Sequence, residues 1–311
     1  MKNWNLRLHQ LACIFMFLSV AVSFYRASQW SATMAFLTSP LAVMLLELSW
    51  IVVTRRSMAE SSFVRLFRYT SSREMDLAIW FYWQGGLAPI WLLSFPEPNL
   101  SHWLAQWQLP ILSWLNIWAI IAISIVLNSL LEFFTHWMAH RVPELWELHK
   151  IHHSATEMTV LTVQRDHLLL ILVINSFRIA VFTLVGLPLQ MMIAFSIFRT
   201  LQTGLLHSRC DSSWGYVGRI LMSPRSHWIH HSENPAHYNH NFASDFTLWD
   251  RIFGTYLPDC KTEIRIGIAQ ETEMNVAQAM IFSLVGAGRV FKKRFTKRPP
   301  DAPETPMKAS A

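Results

Sequence analysis

From Pro110 to Phe134 the chain carries a single ionisable side chain, Glu132. A helix crosses the hydrocarbon core of a bilayer with about 20 apolar residues, so this stretch is long enough to span one. Leu11 to Tyr25, Ala32 to Val53 and Leu77 to Phe95 read the same way. A further apolar stretch, 168–203, is too long for one span and is interrupted by Gly186 and Pro188, which break a helix. It predicts a hairpin, re-entrant or spanning, that returns to the side it left. Arg178 inside it predicts a re-entrant path or a polar interior, because a central arginine costs about 2.5–3.5 kcal/mol on insertion scales. Composition agrees: 15% of residues are charged, against roughly 25% in soluble domains. The clustering of the apolar residues argues against a water-soluble enzyme.

The loops set an orientation. Lys2 and Arg7 precede the first span, and Arg55, Arg56, Arg65, Arg68 and Arg73 follow the second. The opposite loops carry Arg26 only, and 96–109 holds no Lys or Arg. By the positive-inside rule the N-terminus and the 54–75 loop are cytoplasmic. The first span reads as an uncleaved anchor. The fourth then returns the chain to the cytoplasm just before His136. Residues 274–287 read as a short interfacial segment, and the Pro-rich polar tail from about Thr296 as disordered. The basic stretch Lys292, Lys293, Arg294, Lys297 and Arg298 beside apolar sequence predicts contact with anionic lipid rather than nucleic acid. Cys13, Cys210 and Cys260 form no CxxC pair, which argues against a disulfide framework or a zinc ribbon.

The fold expected is all-α: a polytopic membrane bundle of about four spans plus the hairpin, with a cytosolic histidine-rich helical cap. Three regions are expected: N-terminal transmembrane helices over 1–134, a histidine-rich domain over 135–260 that includes the hairpin, and an interfacial and basic region over 261–311.

Of fourteen histidines, all but His9 and His102 lie between His136 and His240. His136 and His140 form HxxxH; His149, His152 and His153 form HxxHH; His227, His230 and His231 form a second HxxHH. Positions i, i+3 and i+4 share one helix face, so each group presents its imidazoles together. A pH sensor is the bland alternative. Clustered imidazoles repel one another when charged, whereas metal binding keeps them neutral. A structural zinc takes about four ligands; eight histidines exceed that and suit two ions. A transporter would place such groups near mid-membrane within the spans, and here they follow the spans. Glu132, one turn before His136 at the end of a span, is the carboxylate expected to orient a ligating imidazole.

The runs HWMAHRVPELWELHKIHHS, LLHS and SHWIHHSENPAHYNHNFASDFTLWDRIFGTY resemble the fatty acid hydroxylase / sterol desaturase superfamily over roughly 130–256. The resemblance implies a di-iron, O2-dependent membrane oxidoreductase that hydroxylates or desaturates a lipid or sterol-like substrate. It places the metal ligands, which are also the catalytic residues, on His136, His140, His149, His152, His153, His227, His230 and His231. It adds His207 by its place after the hairpin, and His237 in the loop after the third motif. Two departures stand out. Trp137 replaces the Arg that many members carry after the first histidine. Arg141 stands where the ether-lipid monooxygenase branch has Glu, which argues against pterin dependence. The chain is expected to draw electrons from a separate donor protein, to take its substrate from the bilayer and to bind no nucleic acid. A bacterial inner membrane is expected, or the endoplasmic reticulum in a eukaryote. Desaturation, ether-lipid oxidation and a non-catalytic zinc scaffold remain the alternatives.

Overall fold

A computed structural model describes residues 30–68, 70–84, 97–109, 112, 114–187, 189–259, 263–268 and 274–296. The first expected span, the 85–95 part of the third and the tail beyond Thr296 lie outside these residues. In chain order α1 is Trp30–Val53, α2 Ser62–Arg65, α3 Ser71–Gln84, α4 Glu97–Ala105, α5 Ile117–Arg141 and α6 Pro143–His153. They are followed by α7 Leu168–Val185, α8 Leu189–His207, α9 Pro224–His230, α10 Leu248–Ile252 and α11 Val276–Thr296. Among the described residues β-structure is limited to isolated bridges, Leu221 with Phe246 and Ser232 with Ile266. The fold is therefore helical, as expected.

Among the described residues two helices, α5 and α7, are long and apolar enough to cross a membrane, and Pro40–Val53 within α1 is a shorter apolar helix. Trp118 and Val126 on α5 and Val173 on α7 are exposed. These helices give the protein its membrane character. Two boundaries differ from expectation. The span expected over Pro110 to Phe134 begins at Ile117, where the Asn116 side chain accepts from Ala119 N at 2.9 Å and caps the free amides of the first turn. It does not stop before His136 but runs to Arg141, because the first break is Val142 ahead of Pro143. A residue before proline is pushed out of the helical region, and Pro143 then starts α6 at a position that needs no amide donor. The membrane helix and the first histidine motif are thus one continuous element, and a single-residue corner joins it to the second motif.

The third expected span also changes character. Its described part, α3, starts at Ser71 rather than Leu77 and buries Met75, Asp76 and Ile79. Met75 and Ile79 join a core with Ile151, Leu168, Leu172 and Ala279. Asp76 meets Arg165 at 2.8 Å, with both side chains buried, and also accepts from Thr159 and Thr162. Arg165 further donates to the carbonyl and hydroxyl of Ser72. A buried carboxylate needs such partners, so this helix faces protein rather than lipid. The segment expected over 274–287 is longer than anticipated: α11 continues to Thr296 and packs along α6 and α3.

The hairpin is present as α7 and α8. His167 caps α7 by accepting from Leu169 N at 3.1 Å. Gly186 ends it with φ +83°, a left-handed conformation that glycine adopts without strain. A Cβ there would also meet the Gln108 side chain. Arg178 faces a polar interior, donating to Glu132 at 2.5 Å and to Asn128 at 2.7 Å. In α1 the buried Glu47 accepts from Ser62 and from Arg209 N and ties that helix to the region around the histidines.

Removing one partner of a buried ion pair leaves the other charge uncompensated and costs about 3–5 kcal/mol. Asp76→Ala is therefore expected to lower the thermal unfolding midpoint of the detergent-solubilised protein, and Asp76→Ala with Arg165→Met to recover part of the loss. An unchanged midpoint in Asp76→Ala would remove this pair from the account of stability.

Candidate metal centre

The corner between α5 and α6 brings the first two motifs face to face, and α9 closes over them. Ser223 caps α9 by accepting from Ser226 N, and Pro224 occupies its first turn. The imidazoles gather into two groups. His136, His140, His149, His153 and His230 form one; His152, His207, His227 and His231 form the other. Within each group the potential ligand atoms lie within 4.8 Å of one another. The groups adjoin: the rings of His153 and His231 stack with centroids 4.4 Å apart.

In the first group every Nε2 atom is buried with no hydrogen-bond partner among the described residues. Buried polar atoms are almost always paired, so five unpaired nitrogens within 4.8 Å of one another form a place that could hold a cation. In the second group the Nε2 atoms of His207 lie 3.1 Å from that of His152 and 3.2 Å from that of His227. The His227 and His231 nitrogens are also 3.2 Å apart. Metal–imidazole bonds of about 2.0–2.1 Å place neighbouring ligand nitrogens about 2.8–3.4 Å apart in octahedral or tetrahedral shells. The residues therefore fit two metal ions, each held by neutral imidazoles, a donor set that suits iron, zinc, copper or nickel.

The opposite ring nitrogens fix the rings. His136 Nδ1–H donates to Phe242 O at 2.6 Å, His207 to Thr203 O at 2.7 Å and His230 to His240 O at 2.8 Å. His149 Nδ1 approaches Asp166 Oδ1 at 3.3 Å. Such contacts set the tautomer that leaves Nε2 free for the metal. The loop bearing Phe242 is itself held: Asp250 accepts from Phe242 N and Ala243 N, both at 2.9 Å, and from Thr255 Oγ1. Asn241 bonds Ser226 O and Leu257 O. The WDRIFGTY run thus supports the first metal position from behind.

All eight motif histidines and His207 enter the two groups. His237 does not: it sits in the 3-10 turn Pro235–His237, after the chain has left the α9 face. Glu132 lies one turn before His136 as expected, but its carboxylate is occupied by Arg178 and Arg199 and makes no hydrogen bond to a motif imidazole among the described contacts. Asp166 and the three carbonyl oxygens are the orienting groups. The carbonyls have no signature in the sequence. Asp166 adjoins His167, whose own side chain caps α7. Glu144, Glu147 and Glu157 form the partly exposed pairs Arg294–Glu144, Lys150–Glu147 and Arg65–Glu157.

A cavity of about 330 Å³ opens beside both groups. His136, His149, His152, His207 and His227 border it, and Leu170, Ile171 and Ile174 of α7 give it an apolar wall. Glu132, Arg199, Thr200 and Thr203 add a polar side.

Residues 121–255 match the fatty acid hydroxylase family. This domain match, together with the similarity to curated lipid hydroxylases, supports placing the chain in the fatty acid hydroxylase / sterol desaturase superfamily. Among curated superfamily members it is 28% identical over 180 residues to ornithine lipid hydroxylase of Rhizobium tropici, covering 54% of this chain and 50% of that protein. It is 30% identical over 143 residues to alkylglycerol monooxygenase of Xenopus tropicalis, covering 44% and 30%. It is 28% identical over 127 residues to human cholesterol 25-hydroxylase, covering 40% and 47%. The chain thus matches half or less of the length of these relatives. No solved structure matches it.

Burial first, and neighbouring imidazoles second, hold His152, His153, His227 and His231 well below the ordinary histidine pKa; burial and His136 do the same for His230. Below the unfolded value of about 6.5 the unfolded chain binds protons that the native site refuses, so stability falls as pH falls. Metal-stripped protein is expected to show a constant unfolding midpoint above about pH 7.5 and a declining one below about pH 6.5. A midpoint flat down to pH 5 would contradict the burial of these rings as neutral groups.

Proposed function

We propose that this chain is a membrane-bound, O2-dependent hydroxylase of a lipid, with one iron in each histidine group. The convergence of unpartnered Nε2 atoms beside an apolar-walled cavity is the observation that carries this reading. The relatives whose printed names state hydroxylation or monooxygenation of lipids and sterols support the reaction class. Bound iron would supply activation of O2 for oxidation of a C–H bond. The protein's own part is to hold the ligands neutral, fix their rings through Phe242, Thr203, His240 and Asp166, and keep bulk water away from the reacting carbon.

In this reading the substrate is a lipid that enters from the bilayer. Leu170, Ile171 and Ile174 receive its aliphatic part, and the Arg199–Glu132 side receives polar atoms near it. Electrons come from a separate donor protein. The bundle crosses the membrane several times, on the order of four spans, with the metal centre on the cytoplasmic side. Two contacts support that side. Arg56 pairs with Asp211 at 3.1 Å and Arg65 with Glu157 at 2.9 Å, so the arginine-rich loop lies with the histidine-bearing segments, and such loops face the cytoplasm.

Protein purified anaerobically from iron-supplied cells is expected to hold one iron per histidine group, two per chain. It should consume O2 with added reductant and yield a hydroxylated lipid that mass spectrometry detects. His153→Ala is expected to lose iron from the first group and to abolish product. Firmly held zinc, with no O2 uptake after iron reconstitution, would replace this reading with that of a scaffold.

A further inference from the structure

The inward face of the WDRIF run supports the metal centre, and its outward face has no role in that account. Leu248, Ile252 and Phe253 on and just after α10 are each more than half exposed, as are Tyr216, Val217 and Ile220 in the turn preceding α9. The two segments form one surface. Leu221 bridges Phe246, Thr247 N donates to Ile220 O at 2.9 Å, and Thr247 Oγ1 donates to Arg219 O at 2.7 Å. An apolar surface of this extent on a water-facing cap would be an aggregation liability or a contact site.

Its place against α5 identifies the contact. Trp249 Nε1 donates to Ser129 Oγ at 2.8 Å, and Phe253 stacks on Phe133 with centroids 5.1 Å apart. Val126, Ser129 and Phe133 follow helical spacing along one stripe of α5, and Val126 is exposed to the surroundings of that helix. Phe133 lies about 24 Å along the axis from Ile117, within the roughly 30 Å reach of a hydrocarbon core. Trp114 and Trp118, both exposed, mark the opposite end as an aromatic belt would. The exposed charges on the shelf are the cations Arg219 and Arg251. Arg219 lies 4.8 Å from the ring centroid of Tyr216, and Arg251 lies 3.9 Å from that of Tyr256. The one acid in these segments, Asp250, is buried beneath them.

We propose that the 216–221 turn and α10 form a monotopic shelf that enters the bilayer beside α5. Its apolar side chains reach the acyl boundary, and Arg219 and Arg251 meet lipid phosphates. This rests on the membrane character of α5 and is independent of the reaction catalysed. It moves the shelf from the cytosolic cap expected from the sequence into the membrane interface.

The test uses the full chain in nanodiscs of phosphatidylcholine and phosphatidylglycerol, with native cysteines replaced and a nitroxide attached at Ile220→Cys, Leu248→Cys or Phe253→Cys. Val126→Cys serves as the lipid-facing reference and Tyr238→Cys, exposed near the histidine cap, as the water-facing one. Metal content matching the parent certifies the fold of each sample. Labels on the shelf are expected to relax faster with O2 than with a water-soluble nickel chelate, as at position 126. Preference for the nickel chelate, as at position 238, would overturn the proposal. Protection from both relaxants would overturn it too, by showing the shelf covered by protein.

Discussion

The approach of imidazole nitrogens without hydrogen-bond partners is the constraint around which the rest is arranged. Unpaired polar atoms in a dry interior cost free energy that a soluble core avoids by pairing them. Here His136, His140, His149, His153 and His230 accept that cost together. A cation would cancel it by taking all the lone pairs at once, which would couple metal binding to local folding. Everything near the site serves to hold the rings in place. Pro143 turns the chain so that α5 and α6 face one another, and backbone carbonyls from the loops after α9 fix two of the rings.

Those carbonyls explain why polar residues far from the metals are buried. Asp250 and Asn241 hold the loop from which Phe242 O reaches His136. Asp76 holds Arg165, and Arg165 is followed directly by Asp166, which meets His149. Asp250 and Asp76 are buried, and each stays buried because it satisfies backbone amides, hydroxyls or a guanidinium. Orientation of these imidazoles therefore depends on residues that lie outside both histidine groups.

The membrane adds a second constraint. Glu132, Arg178 and Arg199 lie on apolar helices, where isolated charges are costly. They solve this by pairing, two guanidiniums on one carboxylate, and so give one side of the cavity fixed charge beside the apolar wall of α7. The same helix that carries this charge carries His136 and His140, which couples the cavity, the bilayer and the metal centre through α5.

The sequence by itself determined the helical class, the membrane character, the helix break at Gly186 and eight of the nine histidines that gather, the ninth, His207, coming from the family resemblance. It could do so because hydropathy and i, i+3, i+4 spacing are local properties of the chain. It also left Arg178 two readings, a re-entrant path or a polar interior, and the structure gives it the polar interior. Only the tertiary structure divided the histidines into groups of five and four, drawing His152 away from its neighbours His149 and His153, because ring direction depends on packing across α6, α8 and α9. Only the structure left His237 outside both histidine groups, paired Glu132 with Arg178 and Arg199, and set Asp166 and three carbonyls against the ring nitrogens. Backbone carbonyls carry no residue identity, and ion pairs such as Arg165–Asp76 join positions far apart in sequence. No pattern along the chain can show which of them will meet.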